Sequence, residues 1–135
     1  MPIELTWMQP DHILLSRWSG DVLPGDMHVL VEELCIILDA ADRLTHTVID
    51  LADARSIHPD VLPIYMQSPA PLHPNRGMIA VVDATDSTRA LADQFNQRAG
   101  HEIVRLFPSR LEARDYLLHL DAASAPEDDS PGADR

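Results

Sequence analysis

Apolar and polar positions alternate from the first residues of the chain, and the period then changes. Ile3, Leu5 and Trp7 alternate with Glu4, Thr6 and Met8, the pattern of a half-buried strand. Pro10-Asp11 supplies a turn, and His12 to Trp18 reads as a second strand. So short a link predicts an antiparallel hairpin, with Ser19-Gly20-Asp21 ending it. The period then becomes helical. Met27, Leu30, Val31, Leu34, Leu38 and Ala41 form one stripe behind Pro24, predicting a helix that reaches Ala41 or Asp42. His28, Glu32, Glu33 and Asp39 fall on its wetter side.

A β-branched run follows, Thr47-Val48-Ile49-Asp50-Leu51, ending in an aspartate and a polar stretch read as a loop over Ala52–His58. A short helix fits Val61 to Gln67, with Pro63 in its first turn, and Ser68 to Asn75 reads as an extended, proline-punctuated link. Gly77 to Asp83 is apolar without alternation, as a strand covered on both faces is. A helix from Ser87 to about Ala99 follows, with Asp86 as its expected N-cap and Gly100 as its stop. Glu102 to Phe107 predicts the fifth strand, and Ser109 with Glu112 is a capping box for a last helix carrying Ala113, Tyr116, Leu117 and Leu120.

The predicted fold class is therefore α/β. It is a single mixed, mostly parallel five-stranded sheet with an N-terminal antiparallel hairpin and about four helices packed on it. One domain over 1–120 is expected, and 121–135 is read as a disordered acidic tail.

Charge narrows the choice of partners. The net charge is −12; residues 121–135 hold five acids and one arginine, a net of −4, leaving −8 on the body. Nucleic acid is not an expected partner of such a surface, and no basic run offsets it. All ten basic residues are arginine. The lack of lysine excludes a P-loop lysine, a Schiff base and a Ser-x-x-Lys pair. The single cysteine, Cys35, lies in the apolar run Leu34–Leu38 and reads as a buried thiol. Met1-Pro2-Ile3-Glu4 has no charged, apolar leader pattern and no run spans a bilayer, so a cytoplasmic protein without stable membrane insertion is expected.

Chemistry-bearing groups are sparse. Asp50 and Asp53 follow one parallel strand and Asp83 and Asp86 another, so a magnesium-assisted hydrolase is one reading; turns and caps account for the same residues. Seven histidines show no ligand spacing, and no metal or other cofactor is expected. The helix starts at Ser87 and Ser109 can bind an anion through backbone N–H groups, or simply cap their helices. No nucleophile elbow or dinucleotide fingerprint occurs.

The order of elements and the central joint resemble the STAS family, named for sulfate transporters and anti-sigma-factor antagonists. The likeness runs over about 3–120. Asp50-Leu51 stands at the strand end and Ile57 at the apolar position that follows. His58-Pro59-Asp60-Val61-Leu62 occupies the place of the family's Asp-Ser-Ser-Gly-Leu. His73-Pro74-Asn75-Arg76-Gly77, and Phe107-Pro108-Ser109 before Glu112-Ala113, resemble a STAS-like branch of small bacterial proteins related to the CRAL-TRIO lipid-binding fold. The resemblance implies a regulatory module that docks on another protein. It also implies a phosphorylated serine at the helix start, where this chain has Pro59; a serine switch is therefore not expected.

The leading expectation is a non-catalytic interaction module. The alternative is a small-molecule or lipid-binding protein with a cavity between sheet and helices, lined by residues such as Trp7 and Trp18. Contact with a protein, or with a small apolar ligand, is expected at Asp53, Arg55, Ser56, His58, Asp60, Tyr65, Met66 and Arg76. These surround a strand-to-helix joint, where open α/β sheets place their sites. Homo-oligomers are compatible with this reading.

Overall fold

The computed structural model describes residues 2–129, without the side chains at 87 and 121–129. Ten elements follow one another: β1 (Ile3–Gln9), β2 (Ile13–Val22), α1 (Pro24–Ala40), β3 (Thr45–Ile57), α2 (Val61–Gln67), a 3-10 turn (Ala70–Leu72), β4 (Arg76–Val82), α3 (Asp86–Ala99), β5 (Val104–Phe107) and α4 (Arg110–Asp129). The sheet order is β1-β2-β3-β4-β5, with β1–β2 antiparallel and the other pairs parallel. The expected mixed α/β sheet and its hairpin are what forms.

Alternation divides the core into two layers. Trp18, Leu51, Ile79, Val81 and Val104 face α1, α2 and α3. Ile13, Val48, Ala80 and Val82 face α4 through Ala113 and Leu117. Ala113 is fully buried there, so α4 lies close against the sheet. On α1, Met27, Leu30, Leu34 and Leu38 are buried, as their spacing requires. The Leu23 N–H donates to Asp26 Oδ2 at 2.9 Å and closes the first turn.

Five boundaries differ from the sequence reading, for physical reasons. β2 continues through Ser19-Gly20-Asp21 to Val22, and β3 through the predicted loop to Ile57. Their extensions pair with each other beyond the last β3–β4 partners, Asp50 and Val82, and form a two-stranded ribbon. Polar residues there face solvent while Val22, Ala54 and Ile57 face the core. Thr85, not Asp86, caps α3: its Oγ1 accepts the Thr88 N–H at 3.3 Å. β5 starts at Val104 rather than Glu102. α4 continues to Asp129, so regular structure does not stop where the acidic tail was expected to begin; Ala122, Ala123 and Ala125 are strong helix formers. Residues 130–135 of that expected tail lie outside the described residues.

The His73–Gly77 run has a definite structural task. Asn75 Nδ2 donates to the carbonyls of Leu38 and Ala41, each at 2.9 Å, satisfying the open end of α1. His73 Nδ1 accepts the Asn75 N–H at 3.0 Å, and its Nε2 lies 2.7 Å from Asp39 Oδ1. Gly77 leaves room for the buried His46 ring, whose Nδ1 accepts the Met78 N–H at 2.9 Å. A Cβ at position 77 would lie 2.4 Å from that nitrogen. Gly77→Ala should therefore destabilise the protein by about 2 kcal/mol or more in chemical denaturation. Gly25→Ala, with open space around it in the first turn of α1, should be neutral or slightly stabilising. Equal stabilities for the two variants would contradict this packing.

Candidate functional site

The residues expected to make contact fall into four places. Asp53, Arg55 and Ser56 lie on the β2–β3 ribbon, where each has a partner on β2. Arg17 Nη2 donates to Asp53 Oδ2 at 2.8 Å. Arg55 grips Asp21 with Nε and Nη2, at 3.0 and 2.6 Å, and Ser56 Oγ donates to Asp21 Oδ1 at 2.7 Å. The Arg55 guanidinium, with the Ser56 hydroxyl, holds the Asp21 carboxyl down at about 2. Asp21 in turn raises the Arg55 pKa. These side chains are exposed, but cross-strand pairing takes up their polar atoms.

His58 and Asp60 stand together at the start of α2. His58 Nδ1 accepts the Asp60 N–H at 3.1 Å, and the Asp60 carboxylate lies 3.9 Å from the same nitrogen. Asp60 makes no side-chain cap on α2. Tyr65 and Met66 lie further along α2, both half-buried. The Tyr65 ring packs against Phe95 of α3 with centroids 6.3 Å apart, and burial pushes its hydroxyl pKa up.

Arg76 is separate, at the opposite end of the sheet. Its Nη1 donates to the Gly77 carbonyl at 2.7 Å, and its buried Nε has no partner. Ser109 caps α4 by accepting the Glu112 N–H at 3.2 Å. Ser87 lies in the first turn of α3, its side chain outside the described residues. The structure thus brings together the ribbon, the α2 start and the α2–α3 contact, and leaves Arg76 and Ser109 elsewhere.

The aspartates do not form one crevice ligand set. Asp50 is buried and pairs with Arg110, while its Oδ1 accepts the Ala52 N–H at 2.9 Å. Asp83 and Asp86 are exposed, Asp83 with a positive φ of 59°. Among the described residues, no three His, Cys, Asp or Glu side chains converge as metal ligands. Burial, with help from Asp39, raises the Cys35 thiol pKa, the opposite of nucleophile activation.

The sequence reading allowed for a cavity between sheet and helices but not for its place beside α2 or for Leu72, Phe95 and Arg98 as its walls. A cavity of about 60 Å³ lies between α2, α3 and the sheet, reached by Leu62, Tyr65 and Leu91. A groove of about 230 Å³ borders it, lined by Met66, Pro71, Leu72, Phe95, Arg98 and Ile103. Leu72 is 85% exposed. The sequence signal was faint: an unpaired Leu between Pro71 and Pro74, and an Arg in the last turn of α3.

This sheet order, with three helices on one face and one on the other, is a STAS-like fold. It is similar to the anti-sigma factor antagonist SpoIIAA in its unphosphorylated form, with a TM-score of 0.66 and 12% identity over 86% of this chain and 97% of that one. It is also similar to an uncharacterised protein of the DUF3478 family with a SpoIIAA-like fold, from Shewanella loihica. There the TM-score is 0.63, with 15% identity over 85% of this chain and 91% of that one. The Bacillus cell fate determinant SpoIIAA in its phosphorylated form matches at a TM-score of 0.58, with 11% identity over 84% of this chain and 97% of that one. At such identities the likeness is one of fold. No protein-family model matches the sequence, and no curated protein does. No helix among the described residues is long and apolar enough to cross a membrane.

The ribbon pairing makes a pH prediction. The Asp21 carboxyl is depressed in the folded chain, from an ordinary 3.8 to about 2. Its contribution to stability is therefore complete above the ordinary value and is lost as pH falls through about 2. Side-chain carboxyl titration by NMR should give Asp21 a midpoint near 2. Arg55→Ala should return it most of the way to ordinary. A normal Asp21 midpoint in the parent protein would mean the pair does not persist in solution.

Proposed function

We propose that the chain is a protein-interaction module of STAS type that works without a serine phosphoswitch. It meets its partner through α2, the 3-10 turn and the link into β4. The observation that carries this reading is the surface around Leu72. A large, 85% exposed leucine stands on a segment stiffened by Pro69, Pro71 and Pro74, next to the half-buried Met66. A stiff segment loses little conformational entropy on binding, so its apolar side chains make effective anchors. The described fold neighbours include an anti-sigma factor antagonist, which supports a regulatory role by analogy of fold.

The joint itself supports docking without phosphorylation. Pro59, at the place of the family's acceptor serine, has no hydroxyl. Ser56 is inside β3, donating to Asp21 rather than standing at a helix start. The ribbon carboxylates and guanidiniums are engaged with one another, which leaves them poorly placed for acid–base work. The reading is accordingly non-catalytic and needs no cofactor.

The test is capture under native conditions with the whole chain as bait. Leu72→Glu should keep the fold and lose the partner by at least tenfold, as removal of a central apolar anchor does. Leu111→Glu, a change on α4 at a 63% exposed leucine across the sheet, should retain it. Loss with Leu111→Glu alone would move the contact to the α4 face. Peptides covering 56–62 from natively purified protein should carry no phosphate; stoichiometric phosphate on Ser56 would overturn the switchless reading.

A further inference from the structure

The cavity and the groove beside α3 share Met66 and Phe95 as walls and follow one another along the helix. From Thr88 at the inner end to Arg98 at the outer end is ten residues of helix, about 15 Å. The inner walls are apolar. Two hydroxyls lie among them: Thr88, which already shares a hydrogen bond with Thr85, their oxygens 3.0 Å apart, and Tyr65. The outer end carries a single charge, the guanidinium of Arg98.

Arg98 stands out among the arginines. Arg17, Arg55 and Arg110 each hold an aspartate, Arg105 lies 3.7 Å from Glu102, and Arg43 and Arg76 donate to carbonyls. Among the described residues, Arg89 and Arg98 are the arginines whose side chains have no ion pair or hydrogen bond. The positions one turn back from Arg98 on α3 are Gln94 and Phe95, so its own helix offers no carboxylate. On a chain of net charge −12, an arginine left without an acid at the mouth of an apolar channel is complementary to an anion with an apolar tail.

We propose that this channel is a binding site for a single-chain alkyl carboxylate, with its tail along Phe95 towards Leu62 and Leu91 and its carboxylate on Arg98. The groove shares Met66 and Leu72 with the protein contact proposed above, but the test reads Arg98, which that contact does not use, so failure of one reading is distinguishable from failure of the other.

The test is calorimetric titration of the full chain with decanoate, decanol and acetate. Decanoate should bind saturably at one site, and acetate should neither bind nor compete. Arg98→Gln should weaken decanoate about tenfold or more, the loss of a charge-assisted contact. The same variant should bind decanol as the parent does. Arg89→Gln removes the same charge from the same helix but away from the channel, and should leave decanoate affinity unchanged. Circular dichroism checks that both variants fold. Absence of saturable decanoate binding, equal weakening by Arg89→Gln and Arg98→Gln, or competition by acetate would each overturn the proposal.

Discussion

A carboxylate buried in the sheet is the constraint that the architecture answers to. Asp50 lies on β3, the middle strand, with 6% of its side chain exposed, on the face covered by α4. A buried carboxylate without partners costs several kcal/mol, so its neighbours must be fixed. Arg110, at the first turn of α4, pairs with one oxygen, and the Ala52 N–H takes the other. With Arg110 held there and Ser109 capping the turn, α4 must leave the sheet edge in one direction. Ala113 and Leu117 then fall onto Ile13, Val48, Ala80 and Val82. The single helix of that layer is oriented by charge at its start and by packing along its length.

The same logic runs beyond Asp50. The ribbon formed by the ends of β2 and β3 presents acids and arginines that satisfy one another across the strands. This turns what is a loop by composition into strand. It also relocates the outward-facing chemistry. Polar side chains at the strand-to-helix joint hold the joint together, while Leu72 on the stiff link stands exposed and an apolar opening lies between α2 and α3.

Much of this was legible from residue order. The alternation in β1, the unbroken apolar run of β4 and the spaced leucines of α1 report burial that depends only on local period, and they placed those elements to within a residue or two. The misread stretches are those whose stability comes from pairs distant in sequence. Asp21 with Arg55, Arg17 with Asp53, and Asp50 with Arg110 are separated by 34, 36 and 60 positions. No local pattern announces them, so Asp53, Arg55 and Ser56 looked like free contact groups. Tyr65 and Met66 lie on α2 where the apolar spacing placed a short helix, because a short helix with apolar side chains all round must bury some of them. Arg76 lies apart from that set, because the link from Ser68 to Asn75 carries the chain to the far end of the sheet before β4 begins. Similarly, His73 and Asn75 gave no sign from their composition that they would close the end of α1.

If the Asp50–Arg110 pair positions α4, the two residues are energetically coupled. A double-mutant cycle with Asp50→Asn, Arg110→Gln and the double variant, read by chemical denaturation, measures that coupling directly. The half-exposed guanidinium is screened by solvent, which places the expected coupling at about 1 to 2 kcal/mol. Additivity within about 0.3 kcal/mol would show that α4 is held by its apolar face alone and that the buried carboxylate does not direct it.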